Sequence, residues 1–214
     1  MNTNSSYYEA NANSFFSTTV SVDLSSLRSR FLAHVRTGGH VLDAGCGSGR
    51  DAKAFSEQGF RVTAFDASSA LAQLATGYCG FSVQVRAFDE VDEVEVYDGI
   101  WCCASLLHVS TSDMPRTLAS LWRALKPGGA LYVSFKHGEG EQSKQGRTFT
   151  DASEGRIRGW LAHIPDVDRL QMWRTKDVLP RRDEEWLNAI VLKSPASPRK
   201  PVAGGATEKG VKRF

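Results

Sequence analysis

Val41-Leu42-Asp43-Ala44-Gly45-Cys46-Gly47-Ser48-Gly49-Arg50-Asp51 runs from an apolar pentad through three alternating glycines into a polar-apolar segment. The pentad, with His40 at its head, predicts a buried strand over His40–Ala44, and the residues after the glycines predict a helix from Arg50 to Gln58. Glycines at this junction let the chain turn tightly and let a ligand approach the main chain without meeting a Cβ. The start of a helix adds unpaired N–H groups. In an open parallel sheet, that junction lies at the carboxyl edge where ligands bind. A dinucleotide loop needs Gly-x-Gly-x-x-Gly, but the third glycine position holds Arg50 after Gly45 and Gly47. A phosphate loop ends Gly-Lys-Ser/Thr, but this one ends Gly49-Arg50-Asp51, with an acid that would repel phosphate. Asp43, just before the glycines, suits a cationic amine. The expected ligand is therefore cationic or at least not phosphorylated.

The same strand-helix rhythm continues outward. Strands are expected over Phe60–Phe65, Phe81–Ala87, Tyr97–Cys103 and Ala130–Lys136, with helices over Ser68–Tyr78 and Asp113–Leu125. Such alternation means parallel strands joined by crossover helices covering both faces. Asp66 ends the second strand, about 20 residues past the first glycine, where an acid accepts both hydroxyls of a ribose or caps the next helix. Phe88-Asp89 ends the third. Asp89 is placed to hold an adenine amino group beside the Phe88 ring, or simply to sit in a solvated turn.

Three further segments are expected. Residues 137–150 are polar, carry three glycines, and read as a long functional or mobile loop. Asp151–Ile164 reads as a helix. Arg169–Arg174 and Trp186–Leu192 are strand-like and close enough to form an antiparallel hairpin. Upstream, Leu24, Leu27, Phe31 and Val35 recur at helical spacing behind Asp23. Residues 1–22 hold Tyr7, Tyr8, Phe15 and Phe16, more aromatics than a free tail carries, and are expected to pack on the body.

At 214 residues, with 41% hydrophobic and 23% charged side chains, the chain fits one globular domain and is no collagen, coiled coil or disordered polymer. No apolar run nears the ~18–20 residues of a membrane span. The opening residues lack a basic start followed by an apolar run, so the expected compartment is the cytoplasm. Cys46, Cys79, Cys102 and Cys103 form no C-x-x-C pair, which argues against a metal site and for reduced thiols. Residues 194–214 are rich in Pro, Gly, Ser and Ala with net charge +4, leaving −2 on the rest. They read as a disordered basic tail, and the near-neutral body argues against nucleic acid as a partner.

Taken together, Asp43–Gly49, Asp66, Phe88-Asp89, Tyr97–His108 and Leu125–Ser134 resemble the class I S-adenosylmethionine-dependent methyltransferases, in that family's order and over about residues 1–193. Within the family the chain looks like the small stand-alone bacterial type, including the tellurite-resistance subgroup. The resemblance implies an α/β, Rossmann-like, doubly wound seven-stranded sheet, mostly parallel with an antiparallel last strand. It divides the chain into a lid (1–22), the cofactor-binding domain (23–193) and the tail (194–214).

It also implies roles. Asp43 and the backbone of Gly45, Cys46, Gly47 and Gly49 would face the methionine part of S-adenosyl-L-methionine. Asp66 with Ala67 would take the ribose, and Phe88 with Asp89 the adenine. Cys103 would lie beside the sulfonium through its backbone, and Tyr8 would fold over the cofactor. His108, after the fourth strand, is the candidate general base. Lys136, Arg147, Trp173 and Arg182 are the candidate acceptor contacts. The fourth strand lacks the signature of adenine-amino methyltransferases, and the chain has no Pro-Cys nucleophile. The expected acceptor is therefore a small molecule or a metalloid oxyanion, met by a monomer or homodimer. The competing reading is a non-catalytic nucleotide-binding or regulatory module on the same fold.

Overall fold

The computed structural model describes residues 3–144, 146–178 and 184–196. Its frame is a sheet in the order β3-β2-β1-β4-β5-β9-β8. The parallel strands are β1 (His40–Ala44), β2 (Arg61–Asp66), β3 (Gln84–Val85), β4 (Tyr97–Cys102) and β5 (Leu125–Lys136). Crossover helices α3 (Arg50–Glu57), α4 (Ser69–Cys79) and α5 (Met114–Ala124) join them in the expected rhythm. The last strand of the chain, β9 (Glu185–Lys193), runs antiparallel to β5 from Ala130↔Leu192 to Lys136↔Trp186. It sits between β5 and β8 (Val167–Lys176), so the hairpin closes the sheet with its reversed strand inside.

Strands β1 and β4 are buried along their whole length, as central strands covered on both faces must be. Successive residues point to opposite faces. Ile100 and Cys102 join Leu42, Leu118, Leu121, Leu131 and Val133 in one core. Trp101 points the other way, stacked 3.9 Å from Tyr132 and packed with Phe31 and Phe55. Phe31 comes from α2 (Ser25–Leu32), the short helix whose apolar stripe was legible at Leu27 and Phe31.

Two expectations need correction. The strand expected over 81–87 pairs through only two residues, Gln84 and Val85, both exposed at the sheet edge. Its flank is taken up by Arg86, whose guanidinium turns to Glu93 at 2.6 Å. The loop expected over 137–150 is not structureless. It forms a hairpin, β6 (Glu141–Lys144) and β7 (Arg147–Thr150), with β6 exposed and only Phe149 and Thr150 buried. The single buried pair was too short a pattern to read as a strand. The next helix, α6, is confined to Glu154–Leu161, where Ser153 Oγ accepts from the Arg156 amide.

Residues 1–22 contain α1 (Thr3–Thr19), with non-helical backbone at Asn11. Of the expected tail, residues 197–214 lie outside the described residues, as do Arg181 and Arg182.

Candidate functional site

The three glycines lie at the carboxyl end of β1 with φ of +72° (Gly45), +56° (Gly47) and +75° (Gly49). Left-handed backbone disfavours any side chain here. Space does too: a Cβ on Gly45 would stand 2.7 Å from Ser105 Cβ, and one on Gly49 2.7 Å from Cys79 Sγ. The loop is tied to the end of β2. The Gly45 and Cys46 amides donate to the Phe65 carbonyl at 3.0 and 2.9 Å. The Gly47 amide donates to Asp66 Oδ2 and the Ser68 amide to Asp66 Oδ1, both at 2.9 Å. Asp66 thus holds the loop in shape while each oxygen keeps a further lone pair for a hydroxyl. Burial pushes its carboxyl up, against the Ser68 and Gly47 amides.

Two acids under the loop divide the work. Asp51 accepts from Arg28 at 2.7 Å, from Arg50 at 2.6 Å and from the Trp101 indole at 3.1 Å. Burial opposes its charge, but Arg50 and Arg28 outweigh it and hold the carboxyl below its usual range. Asp51 therefore faces the core. The expectation that it would repel phosphate at the loop is corrected. Asp43 carries that character instead. It is 3% exposed, and its Oδ2 is buried with no hydrogen-bond partner. Burial, then the charge of Asp51, raises its carboxyl well above the ordinary range. A buried oxygen without a donor is costly, and a cationic amine would relieve it.

Helix α1 lies over this end of the sheet and is fastened at several points. Asn4 Nδ2 donates to the carbonyls of His108 and Thr148, and Asn4 Oδ1 accepts from the Thr148 amide at 2.7 Å. Glu9 accepts from Ser68 Oγ, Ser69 Oγ and the Ala70 amide, and so caps the start of α4. Phe15 lies against Gly47, 3.0 Å from where a Cβ would be. Glu9 and Asn4 escaped the sequence reading because α1 has no apolar stripe. The only signal was its four aromatics. Replacing Glu9 with Ala should weaken S-adenosylhomocysteine binding about threefold through looser fastening of α1, measured by calorimetry. Unchanged affinity would remove Glu9 from that role.

Tyr8 Oη is 2.8 Å from His108 Nε2, and His108 Nδ1 is 3.2 Å from the Thr148 carbonyl. A carbonyl only accepts, so Nδ1 carries the proton and Tyr8 donates to Nε2. Burial, with Arg147 and Lys136 nearby, lowers the His108 pKa to about 4, and burial raises that of Tyr8. A histidine kept neutral by the fold costs stability once the unfolded chain takes up a proton. Between its ordinary 6.5 and about 4, stability should therefore fall as pH falls, by ~3 kcal/mol for this group. Urea unfolding of the wild type and His108→Asn across that window checks this. Equal pH slopes would contradict it.

The other candidate residues are placed unevenly. Phe88 packs edge-on to Phe65, 5.5 Å between centroids, and reaches Gly45, whereas Asp89 is exposed in the adjoining turn. The Ala67 carbonyl accepts from Ser5 Oγ of α1. Cys46 and Cys103 are half-buried, and burial pushes the Cys103 thiol up to about 12, so it is no nucleophile. After Cys103, Ala104 holds φ +50° and donates its amide to Ser134 Oγ at 2.8 Å. Arg147 of the hairpin joins the Tyr8–His108 pair, its guanidinium 4.2 Å from the Tyr7 ring centroid and Nη1 3.5 Å from Tyr8 Oη. Lys136 pairs with Glu184 at 2.6 Å and lies over Phe149. Trp173 stands apart from this group. Its ring is covered by Arg30 at 3.7 Å and it neighbours Tyr132 in the core on the α2 face. Among the described residues, no group of three His, Cys, Asp or Glu side chains could hold a metal ion.

Residues 16–173 match the methyltransferase-domain family. The chain belongs to the class I S-adenosylmethionine-dependent methyltransferases. Its α/β sheet is the Rossmann-like sheet of these methyltransferases. A malonyl-[acyl-carrier protein] O-methyltransferase from Serratia marcescens is 35% identical over 104 residues, covering 45% of this chain and 38% of the relative. A ubiquinone biosynthesis O-methyltransferase from Rickettsia conorii is 31% identical over 99 residues, 44% of this chain and 34% of the relative. The match thus spans well under half the length of these curated relatives.

Among solved structures, the fold is shared with the 1,6-didemethyltoxoflavin-N1-methyltransferase of Burkholderia thailandensis. The TM-score is 0.73 at 23% identity, covering 89% of this chain and 87% of that one. In this chain the unpartnered Asp43 oxygen and the open lone pairs of Asp66 fit the family's cofactor, S-adenosyl-L-methionine, whose amine and ribose need an anion and a paired acceptor. Among the described residues, no helix is long and apolar enough to cross a membrane.

Proposed function

We propose that this methyltransferase moves a methyl group from S-adenosyl-L-methionine to a small-molecule acceptor. The observation that carries this is the buried, partnerless Oδ2 of Asp43 beneath the glycine loop, on the strand beside the one that Asp66 ends and opposite Ala64. The cofactor, when bound, supplies a methyl already activated on a positively charged sulfur. Asp43 binds its amine, the backbone of Gly45–Gly49 lines the methionine part, and Asp66 with Ala67 takes the ribose. Phe88 and Asp89 flank the adenine, and the backbone at Cys103 faces the sulfur. The lid, residues 1–22, excludes water with Tyr8 and Phe15. Orientation and water exclusion supply most of the acceleration, on the order of 7–11 kcal/mol in favourable geometries.

His108, Lys136 and Arg147 line the acceptor side in this reading. Trp173 belongs there only if Arg30 moves off its ring. The curated relatives are O-methyltransferases, which supports oxygen as the accepting atom over a metalloid oxyanion. We further place residues 23–193 as the catalytic domain of a monomeric or homodimeric cytoplasmic enzyme. We place it with the small stand-alone bacterial type, akin to the tellurite-resistance subgroup. Nucleic acid is not its partner in this reading. The test is formation of S-adenosylhomocysteine by the full chain with panels of hydroxyl, amine, thiol and oxyanion acceptors. Production with one class supports the proposal. Tight cofactor binding with no production from any class would favour the non-catalytic module.

A further inference from the structure

The atoms around His108 leave it no free edge. Nδ1 is committed to the Thr148 carbonyl and Nε2 to Tyr8 Oη. Its ring also lies between Tyr8 and Phe149, at centroid distances of 5.2 and 5.1 Å. An acceptor molecule cannot reach the imidazole lone pair without displacing Tyr8. Tyr8 Oη differs: it donates to His108, accepts from Arg147, and keeps its second lone pair for an approaching donor. Nη1 of Arg147 lies 3.5 Å from the same oxygen. We propose that Tyr8 is the catalytic residue that meets the acceptor, that His108 receives the proton through it, and that the acceptor is an acidic, planar hydroxyl compound such as a phenol or enol. This rests on the methyl-transfer reading above.

The step balances as a relay. The acceptor O–H bond breaks toward Tyr8 Oη while the Tyr8 proton passes to His108 Nε2. The freed oxygen pair forms the bond to the methyl carbon, and the pair of the broken carbon–sulfur bond returns to sulfur. The imidazolium then holds Tyr8 by donating to it until solvent takes the proton.

Charge around the pair selects the acceptor. Burial first, then Arg147 from the hairpin and Lys136 from β5, lowers the basicity of His108, while burial and, to a lesser degree, Asp66 make Tyr8 harder to ionise. A weak base is effective only toward an acidic hydroxyl, because proton transfer is best between groups of similar pKa. The same two cations disfavour a protonated amine and favour an oxyanion, although Lys136 is shared with Glu184. The rings of Tyr7 and Phe149, with the Arg147 guanidinium 4.2 and 5.0 Å from their centroids, favour a flat molecule. Because the proton-accepting oxygen rides on α1, deprotonation depends on a closed lid.

The probe is 4-nitrocatechol, whose spectrum reports its own ionisation. It is added to the full chain saturated with S-adenosylhomocysteine, at a pH where the free probe is mostly neutral. The wild type should bind it in the ionised, red-shifted form. Tyr8→Phe, brought to saturation with S-adenosylhomocysteine at a concentration set by its own affinity for that ligand, should lose the shift. His108→Asn should lose most of it. A shift that persists in Tyr8→Phe overturns the proposal, and so does its absence in a wild type that binds S-adenosylhomocysteine. A wild type that does not bind S-adenosylhomocysteine fails the methyltransferase reading instead.

Discussion

Replacing Asp66 with Ala should weaken S-adenosylhomocysteine binding by at least ~100-fold. In the proposed reading the carboxylate accepts two ribose hydroxyls, and a hydrogen bond to a charged group contributes roughly 1.5–3 kcal/mol. The same side chain anchors the Gly47 and Ser68 amides at 2.9 Å, so its loss also frees the loop that faces the methionine part. Asn at this position should be milder, since its amide oxygen still accepts from one backbone amide. Calorimetric titration of the two variants measures this. Wild-type affinity in Asp66→Ala would remove Asp66 from the ribose contact and leave it as a loop anchor alone.

The second large effect concerns stability. Asp51→Ala should cost about 3–5 kcal/mol, the usual penalty for breaking one side of a buried ion pair. Two guanidinium groups, Arg28 and Arg50, depend on that carboxylate, with side chains only 12% and 18% exposed. The Trp101 indole would also lose its acceptor. At this chain length the loss amounts to a fall in Tm of about 10 °C or more. Acid acts in the same direction. The Asp51 carboxyl is held below its unfolded value, so its contribution is present above the ordinary carboxylate range and lost as pH falls through the folded value. Thermal melts of wild type and variant measure the effect. A change under about 1 kcal/mol would mean that water reaches the two arginines.

The parts of this account that were legible in the sequence share a cause. The Gly45–Gly49 turn and the apolar strands at Val41–Ala44 and Tyr97–Cys102 are strong local patterns. Each reflects a local requirement, left-handed backbone or burial on both faces, and each lies where expected. Asp66 was legible for the same reason, as an acid at a strand end one crossover past the loop. The parts that were not legible depend on long-range pairing. Arg50-Asp51 looked like a charged helix start facing a ligand, but Arg28, a partner 23 residues upstream, and Trp101, 50 residues downstream, draw the acid into the core. The hairpin over Glu141–Thr150 is polar on one strand and gains its fixed position from Asn4, more than 100 residues away. Trp173 was expected on the same hairpin as Arg182, but strand pattern alone does not reveal that Arg30 from α2 covers it. The Tyr8–His108 bond joins α1 to the short turn after β4 and has no sequence signature at all.

Titration calorimetry of the full chain with S-adenosylhomocysteine, S-adenosylmethionine and NAD bears most directly on the central claim. In the proposed reading Asp43 takes a cationic amine and Asp66 a ribose, and Arg50 stands where a dinucleotide loop needs its third glycine. The account therefore predicts saturable binding of both adenosyl ligands at micromolar concentration and none of NAD. Binding of NAD, or no adenosyl binding at millimolar ligand, would contradict it.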